Sequence, residues 1–249
     1  MEENQFPAEK ARVDDREEGR NEAQVYSVPW SIGDTWSGVV LLILVSIGMV
    51  AALFLGLKRE YLQNIGVLFL ELVYLLPVVL IFAWRRIHWK HLGFGTFNVN
   101  VLGLGCGLLI GGYVIILLHN TLLTVLGVDT QGAQIFEMFN QLESPIWLFL
   151  VVAIVAPIVE EIFFRGFLFQ GFRQKYGWMP AVFISSAIFG AAHLDPVALI
   201  PTFVLGCVLA YMYHRSNSVW PGILFHAAIN STSLCAVYVI SQYPSLMPS

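Results

Sequence analysis

After its first 35 residues, the chain is a succession of long apolar stretches separated by short polar turns. The hydrocarbon core of a bilayer is about 30 Å thick, so a helix needs roughly 20 apolar residues to cross it. The pattern therefore predicts an all-α fold, a polytopic membrane helix bundle with about seven transmembrane helices. The predicted spans are Trp36–Leu57, Asn64–Trp84, Val101–His119, Pro145–Phe172, Trp178–Leu194, Val197–Tyr213 and Val219–Ile240.

The polar and charged residues divide the chain into four regions. Residues 1–35 are rich in charge and poor in large apolar side chains, which predicts a disordered cytoplasmic tail. Residues 36–144 form the N-terminal membrane helices, and their last part, Asn120–Ser144, mixes polar and apolar residues and is expected to lie along the membrane interface. Residues 145–240 carry the unusual polar groups of the membrane core, and residues 241–249 are a C-terminal tail.

The composition supports a membrane protein. The chain is 57% hydrophobic and only 12% charged, with a mean hydropathy of +0.71, whereas globular proteins average roughly 25% charged residues. A net charge of −4 argues against a nucleic-acid partner, whose phosphates would need bound bases. The lipid bilayer is therefore the predicted environment.

The cysteines are scattered through apolar stretches with no C-x-x-C pair. This spacing argues against a disulfide framework and against a thiolate zinc site. Cys106, Cys207 and Cys235 are predicted to be buried free thiols that pack as small hydrophobic residues.

The basic residues predict the orientation in the membrane. With seven spans, only Lys58 and Arg59 of the 13 Lys and Arg residues fall on the side opposite the N-terminus. Because basic residues concentrate in cytoplasmic loops, the N-terminus is predicted to be cytoplasmic.

The third predicted span contains a series of glycines. Gly103, Gly107 and Gly111 form two overlapping G-x-x-x-G pairs, and Gly105 and Gly112 lie beside them. Small residues let membrane helices approach closely, so this span is predicted to pack tightly against a neighbouring helix.

Charged residues inside predicted spans need a reason, because each costs at least about 2.5–3.5 kcal/mol at the bilayer centre. Glu71 is alone in the second span and could take a proton or pair with a base from another helix. Glu160 and Glu161 are adjacent in the fourth span. Arg165 follows Glu161 by four residues, the spacing at which helical side chains meet, which predicts an ion pair. Glu160 points about 100° away and stays free for another partner.

Polar residues recur in the later spans. His193 ends the fifth span, and His226 and Asn230 lie four apart on one face of the last span. If the fourth and fifth spans form a hairpin that turns at Gly177, then Glu161 and His193 stand at matching heights, because they are equally distant from that glycine.

This combination could hydrolyse an amide inside the membrane. A carboxylate such as Glu160, assisted by His193, could act as a general base on a water molecule. His226 and Asn230 could donate hydrogen bonds to the oxyanion that forms. Alternatively, a glutamate and two histidines could hold zinc with one open position.

Other hydrolytic motifs are absent from the sequence. It contains neither H-E-x-x-H nor G-x-S-x-G. Ser186 and Ser233 each lie seven residues from a histidine, but small hydroxyls in membrane helices usually serve packing. A serine nucleophile is therefore disfavoured.

The order of three short motifs on separate predicted helices resembles the CPBP family. That family includes the CAAX prenyl endopeptidases and bacterial proteins implicated in bacteriocin self-immunity. The resemblance extends from about Pro145 to Ile240, with no departure at the motif positions. The motifs are Glu160-Glu161-x-x-x-Arg165, Phe189-x-x-x-His193 and His226-x-x-x-Asn230, the last preceded by Asn217-Ser218-Val219-Trp220-Pro221.

The resemblance implies endoproteolysis of a membrane-anchored, in some members prenylated, substrate near the cytoplasmic face of a bacterial or archaeal cell membrane. It implies that Glu160 activates water with help from His193, and that His226 and Asn230 stabilise the oxyanion. Glu161 and Arg165 would support Glu160 through their ion pair. The family has been described both as metalloproteases and as metal-independent glutamate proteases, so zinc and no metal both stay open.

Two other functional classes are compatible with the sequence. A non-catalytic membrane scaffold or bacteriocin self-immunity factor with this fold would not need Glu160. A proton-coupled carrier would use Glu71 and Glu160 as proton sites, but the chain lacks the repeated halves that many carriers have.

Overall fold

A computed structural model describes residues 27–54, 67–128 and 145–242. Throughout these ranges the regular structure is helical, without strands, which confirms the predicted all-α membrane bundle. The helices are α1 Ile32–Phe54, α2 Val67–Leu72, α3 Leu75–Arg85, α4 Asn100–Val125, α5 over residues 145–176, α6 Trp178–Ala192, α7 Leu199–Ser216 and α8 Trp220–Gln242.

Two of these helices are long and apolar enough to cross a membrane, judged by length and composition. They are Asn100–Val125 and Trp220–Gln242, and shorter apolar helices cover Ile32–Gly48, Leu75–Arg85 and Trp178–Ala192. The number of about seven spans and the cytoplasmic N-terminus stay predictions.

The helix α5 changes its winding along its length. Its two π-helical stretches lie on either side of a short α-helical turn that contains Pro157. A proline removes a backbone N–H donor and crowds the preceding turn, and wider winding relieves that crowding without breaking the helix. The successive parts are Pro145–Leu150 (α), Val151–Val155 (π), Ala156–Glu160 (α), Glu161–Phe169 (π) and Gln170–Tyr176 (α).

The end of the predicted tail is packed into the bundle, which corrects the expectation that residues 1–35 are disordered. Trp30 is only 2% exposed and its ring lies 5.5 Å from that of Phe167 on α5. Asp34 accepts hydrogen bonds from the Ser31 N–H and hydroxyl and pairs with Arg85 at 2.8 Å. Burial alone would raise the pKa of Asp34, but these bonds outweigh it and bring the pKa below its usual value. The rest of the tail, residues 1–26, lies outside the described residues.

The second predicted span is not one helix. It is divided into α2 and α3 by a turn at Val73 and Tyr74, which we attribute to Pro77, because proline cannot donate a hydrogen bond to the preceding turn. Its predicted start at Asn64 lies outside the described residues, as do Lys58 and Arg59.

Two other predicted boundaries change. The helix α4 continues to Val125, beyond the predicted end of the third span at His119, while residues 129–144 lie outside the described ranges. The helix α8 runs to Gln242, two residues into the predicted C-terminal tail, and residues 243–249 are not described.

The glycines of α4 do pack against a neighbour, but in a different register from the one predicted. A β-carbon on Gly105 would lie 2.5 Å from the sulfur of Met212, and one on Gly112 would lie 2.6 Å from a methyl group of Val204. Gly103, Gly107 and Gly111 have no atom within 4 Å of that position. The glycines that meet α7 are thus seven residues apart, and the G-x-x-x-G pairs lie on the other face.

The three cysteines are free thiols, as predicted. The prediction that all three are buried is wrong, because Cys106 and Cys235 are exposed and Cys207 is half-buried. The two exposed thiols lie on α4 and α8, the long apolar helices with little of their surface buried inside the protein.

The loop after α3 is held against the α7–α8 junction by Gly93, whose φ is +90°. Its carbonyl accepts a 2.9 Å hydrogen bond from the Val219 N–H, and a β-carbon there would collide with the Tyr213 hydroxyl. Gly93→Ala should destabilise the protein by about 1–3 kcal/mol, since it adds both backbone strain and this collision. The melting temperature in detergent, followed by tryptophan fluorescence, measures the loss.

Gly95→Ala is the matched control, because a β-carbon on Gly95 meets nothing within 4 Å. Its melting temperature should stay at the wild-type value. Equal shifts in the two variants would show that the docking of this loop does not depend on Gly93.

Candidate active site

The hairpin assumed for the fourth and fifth predicted spans is present, and it brings α5 and α6 together. The helix α5 ends at Tyr176, Gly177 turns the chain with a φ of +85°, and α6 begins at Trp178. A turn follows α6, where the Asp195 carboxylate accepts a 2.9 Å hydrogen bond from the Val197 N–H. This arrangement places α5, α6 and α8 around one polar centre.

Glu160 and His226 form the centre of the site. Glu160 is 6% exposed and His226 is 3% exposed, and 3.7 Å separates Glu160 Oε2 from His226 Nε2. The other ring nitrogen, His226 Nδ1, lies 3.5 Å from Glu161 Oε1. The imidazole of His226 is thus held between the two adjacent carboxylates of α5.

His193 lies farther from the Glu160 carboxylate than His226 does. The sequence interpretation has His193 assist Glu160 in activating a water molecule, a role that does not require direct contact between the two side chains. His193 follows the last turn of α6, where its Nδ1 is 2.8 Å from the Phe189 carbonyl oxygen. Its ring also packs edge-on against the Phe189 ring, with 4.9 Å between centroids.

The Glu161–Arg165 ion pair forms as its spacing predicts. Arg165 Nη1 lies 2.8 Å from Glu161 Oε1, and the two side chains are 1% and 0% exposed. The Arg165 guanidinium also donates a 3.2 Å hydrogen bond to the Gly206 carbonyl and lies over the Phe189 ring at 4.4 Å. Neither residue of the pair lines the cavity beside Glu160.

Asn230 connects α8 to the first π-helical stretch of α5. Its side-chain amide donates a 2.9 Å hydrogen bond to the Val152 carbonyl oxygen. π-Helical winding displaces carbonyls from the regular ladder, which explains why this one is available to a side chain. Asn230 and His226 lie on one face of α8, as their spacing predicts, and both line the cavity.

A cavity of about 620 Å³ opens beside Glu160. Most of its lining is aliphatic or aromatic. Its polar and titratable lining residues are Ser46, Glu71, Tyr74, Tyr113, Glu160, His193, Thr202, His226, Asn230 and Ser233.

The sequence analysis did not identify Tyr74 as a residue of the cavity wall, and it did not place Glu71 beside Glu160. The Tyr74 hydroxyl donates a 3.4 Å hydrogen bond to the Ala192 carbonyl, next to His193. Tyr74 belongs to the turn between α2 and α3, which the predicted continuous span concealed. For Glu71 the signal was present, since it is a lone carboxylate in an apolar stretch, but the sequence does not show what it faces.

The site does not fit a metal ion in this arrangement. A catalytic zinc site needs three protein ligands, each about 2.0–2.3 Å from the ion. Across residues 27–54, 67–128 and 145–242, no group of three or more His, Cys, Asp and Glu side chains could hold one.

Comparison with known proteins matches the same part of the chain. Residues 142–232 match the family model described as "Type II CAAX prenyl endopeptidase Rce1-like". This match includes all the motif residues from Glu160 to Asn230, and it confirms the family resemblance over that segment.

Curated relatives resemble part of the chain. The chain is 30% identical to "Putative membrane peptidase YdiL" of Bacillus subtilis, over 43% of this chain and 44% of the relative. It is 24% identical to "UPF0177 protein YxdF" of Lactococcus lactis, over 39% of this chain and 54% of the relative. It is also 30% identical to an "Uncharacterized 24.3 kDa protein" of Escherichia coli, over 34% and 42% respectively. The chain spans about half the length of the curated relatives it matches, and no solved structure matches it significantly.

Proposed function

We propose that the protein is an intramembrane endopeptidase that hydrolyses a peptide bond of a membrane-anchored, for example prenylated, substrate. One observation carries the proposal. Glu160 lies 3.7 Å from an imidazole nitrogen of His226 and lines a largely apolar cavity that is large enough for a peptide segment. In such a site a carboxylate is a suitable general base for a bound water molecule, because few other water molecules can reach it.

In the proposed reaction Glu160 takes a proton from a water molecule while the water oxygen attacks the scissile carbonyl carbon. The tetrahedral intermediate carries its negative charge on the former carbonyl oxygen. The proton then passes to the amide nitrogen, the C–N bond breaks, and a carboxylic acid and an amine leave the site.

The hydrogen bonds of His193 suit a role in holding the attacking water. A carbonyl oxygen only accepts, so the 2.8 Å contact between His193 Nδ1 and the Phe189 carbonyl requires the proton to be on Nδ1. A neutral ring then keeps Nε2 as an acceptor. Because His193 lines the cavity, this nitrogen can accept a hydrogen bond from the same water that Glu160 activates.

His226 and Asn230 are proposed to stabilise the oxyanion. His226 lines the cavity, and its ring carries an N–H donor in either neutral tautomer. Asn230 uses one side-chain N–H on the Val152 carbonyl, which leaves its second N–H for the substrate. Glu161 and Arg165 are positioning residues, since their ion pair fixes the carboxylate oxygen that faces His226.

The proposal predicts that His226→Ala lowers kcat/KM by about 10²–10³-fold, the usual cost of removing one oxyanion donor. Purified protein in detergent would be given membrane-anchored and prenylated peptides, with the products identified by mass spectrometry. His119→Ala is the matched control, because His119 bonds to Asn120 on α4 and does not line the cavity; it should cleave like wild type.

Equal activity in the two histidine variants would contradict the role given to His226. A chelator series belongs in the same assay. Activity lost to the chelator and restored by Zn²⁺ would contradict water activation by the side chains alone.

A further inference from the structure

Glu71 is a second carboxylate in the wall of the proposed catalytic cavity. It lines the cavity together with Glu160, so the two carboxyl groups face the same space. The short helix α2 packs against the Ala156–Glu160 turn of α5, which explains this proximity. Glu71 Oε2 is buried and has no hydrogen-bond partner in the part of the chain that the structure describes.

The described cavity wall holds no Lys or Arg to balance Glu71. Arg165 and Arg85 are committed elsewhere, to Glu161 and Asp34 respectively. The two cavity histidines are also engaged away from Glu71. His226 faces Glu160 and Glu161, and His193 bonds to the Phe189 carbonyl.

A buried carboxylate without a counter-charge either takes up a proton or binds a cation. A substrate ammonium or guanidinium group beside it would keep the carboxylate ionised and paired. Charge-assisted hydrogen bonds between ammonium or guanidinium groups and carboxylates are among the strongest in proteins. They also discriminate strongly against a substrate that lacks the cation, because the polar group in the site is then left unpaired.

We propose that Glu71 is the specificity-determining residue of this cavity, and that it binds the ammonium or guanidinium group of a Lys or Arg near the scissile bond. This inference rests on the proposed peptidase function. It also predicts which substrates are disfavoured. A glutamate at that position would meet Glu71 with no described Lys or Arg in the wall, so its peptide should bind more weakly than the norleucine peptide.

The test is binding of matched peptides to a protein that cannot turn them over. The probes are acyl-anchored, C-terminally amidated hexapeptides that differ at one position, which carries lysine, its uncharged isostere norleucine, or glutamate. That position is moved along the peptide in turn. Dissociation constants are measured in detergent for Glu160→Gln and for Glu160→Gln combined with Glu71→Gln.

With Glu160→Gln alone, the best lysine peptide should bind at least about tenfold more tightly than its norleucine counterpart. With Glu71→Gln added, the two peptides should bind within about twofold of each other. Glu160→Gln combined with Ser46→Ala is the matched control, because Ser46 lines the same cavity without a charge; it should keep the preference. Glu71→Asp, which retains the charge, should keep the preference too. If Glu71→Gln does not fold, Glu71→Leu, which also removes the charge, takes its place.

Lysine and norleucine peptides that bind equally, or a preference that survives Glu71→Gln, would overturn the inference. Neither result affects the proposed function, which is read separately from cleavage by the wild type. A lysine preference that depends on Glu71, in a wild-type protein that cleaves none of the bound peptides, would support the binding site and overturn the peptidase.

Discussion

Glu160→Gln should lower kcat/KM by about 10³–10⁴-fold, near the upper end of what general acid–base catalysis contributes. The substitution keeps the size of the side chain and its ability to accept a hydrogen bond. It removes the ability to take a proton from water, the step that the proposed reaction assigns to Glu160. The rate is measured on the peptides that the wild type cleaves, under the same detergent conditions.

The control for this prediction is the integrity of the site. Glu160→Gln should melt at or above the wild-type temperature, since it removes a nearly buried charge, and it should still bind the peptides. Undiminished cleavage by this variant would contradict the proposal. If a folded wild type cleaves nothing and Glu160→Gln keeps the biological activity of the protein, a scaffold or self-immunity factor explains the fold better.

Arg165→Met should lower the free energy of unfolding by about 3–5 kcal/mol, the cost of removing one partner of a buried ion pair. Both members of the pair are almost completely buried. Without the guanidinium, the Glu161 carboxylate would keep its charge with no cation beside it, and the Gly206 carbonyl would lose its donor. Unfolding by a denaturing detergent, followed by tryptophan fluorescence, measures the change.

Two further variants show whether the ion pair is the cause. Adding Glu161→Gln to Arg165→Met removes the unpaired charge and should recover part of the lost stability. Arg215→Met is the matched control, because Arg215 is exposed and bonds only to the Tyr211 hydroxyl among the described contacts. If Arg165→Met costs no more than Arg215→Met, the buried pair does not stabilise the fold as described.

Features encoded by local spacing could be predicted from the sequence. The Glu161–Arg165 pair depends only on the helical period, and the α5–α6 hairpin depends on Gly177, which can adopt the positive φ of the turn. The shared face of His226 and Asn230 follows in the same way. These features could be anticipated because each depends on residues that are close together in the sequence.

Features that depend on how helices cross could not be predicted. The histidine nearest Glu160 is His226 rather than His193, and which one comes closer is set by the angles and offsets between α5, α6 and α8. The packed glycines of α4 are Gly105 and Gly112 for the same reason. A hydrophobic pattern shows that a helix has an apolar surface, but in a membrane both lipid and protein can cover it.

The beginning of the bundle illustrates a different limit. Residues up to Thr35 looked like a charged tail because their composition is polar on average. Trp30 nevertheless packs against the rings of Phe82 and Phe167. Asp34 pairs with Arg85. Averages over a segment conceal such individual contacts, which become visible only when the distant partner is known.

The central claim is that water activated by Glu160 attacks the peptide bond directly, without a covalent intermediate between enzyme and substrate. Ser233 also lines the cavity, so an acyl-serine is the concrete alternative. The measurement is the intact mass of the wild-type protein, quenched with acid during the first turnover of a cleaved peptide. Activation of water by Glu160 predicts that product forms while the mass of the protein stays unchanged. A protein heavier by the mass of the acyl fragment, with the added mass located on Ser233, would contradict it.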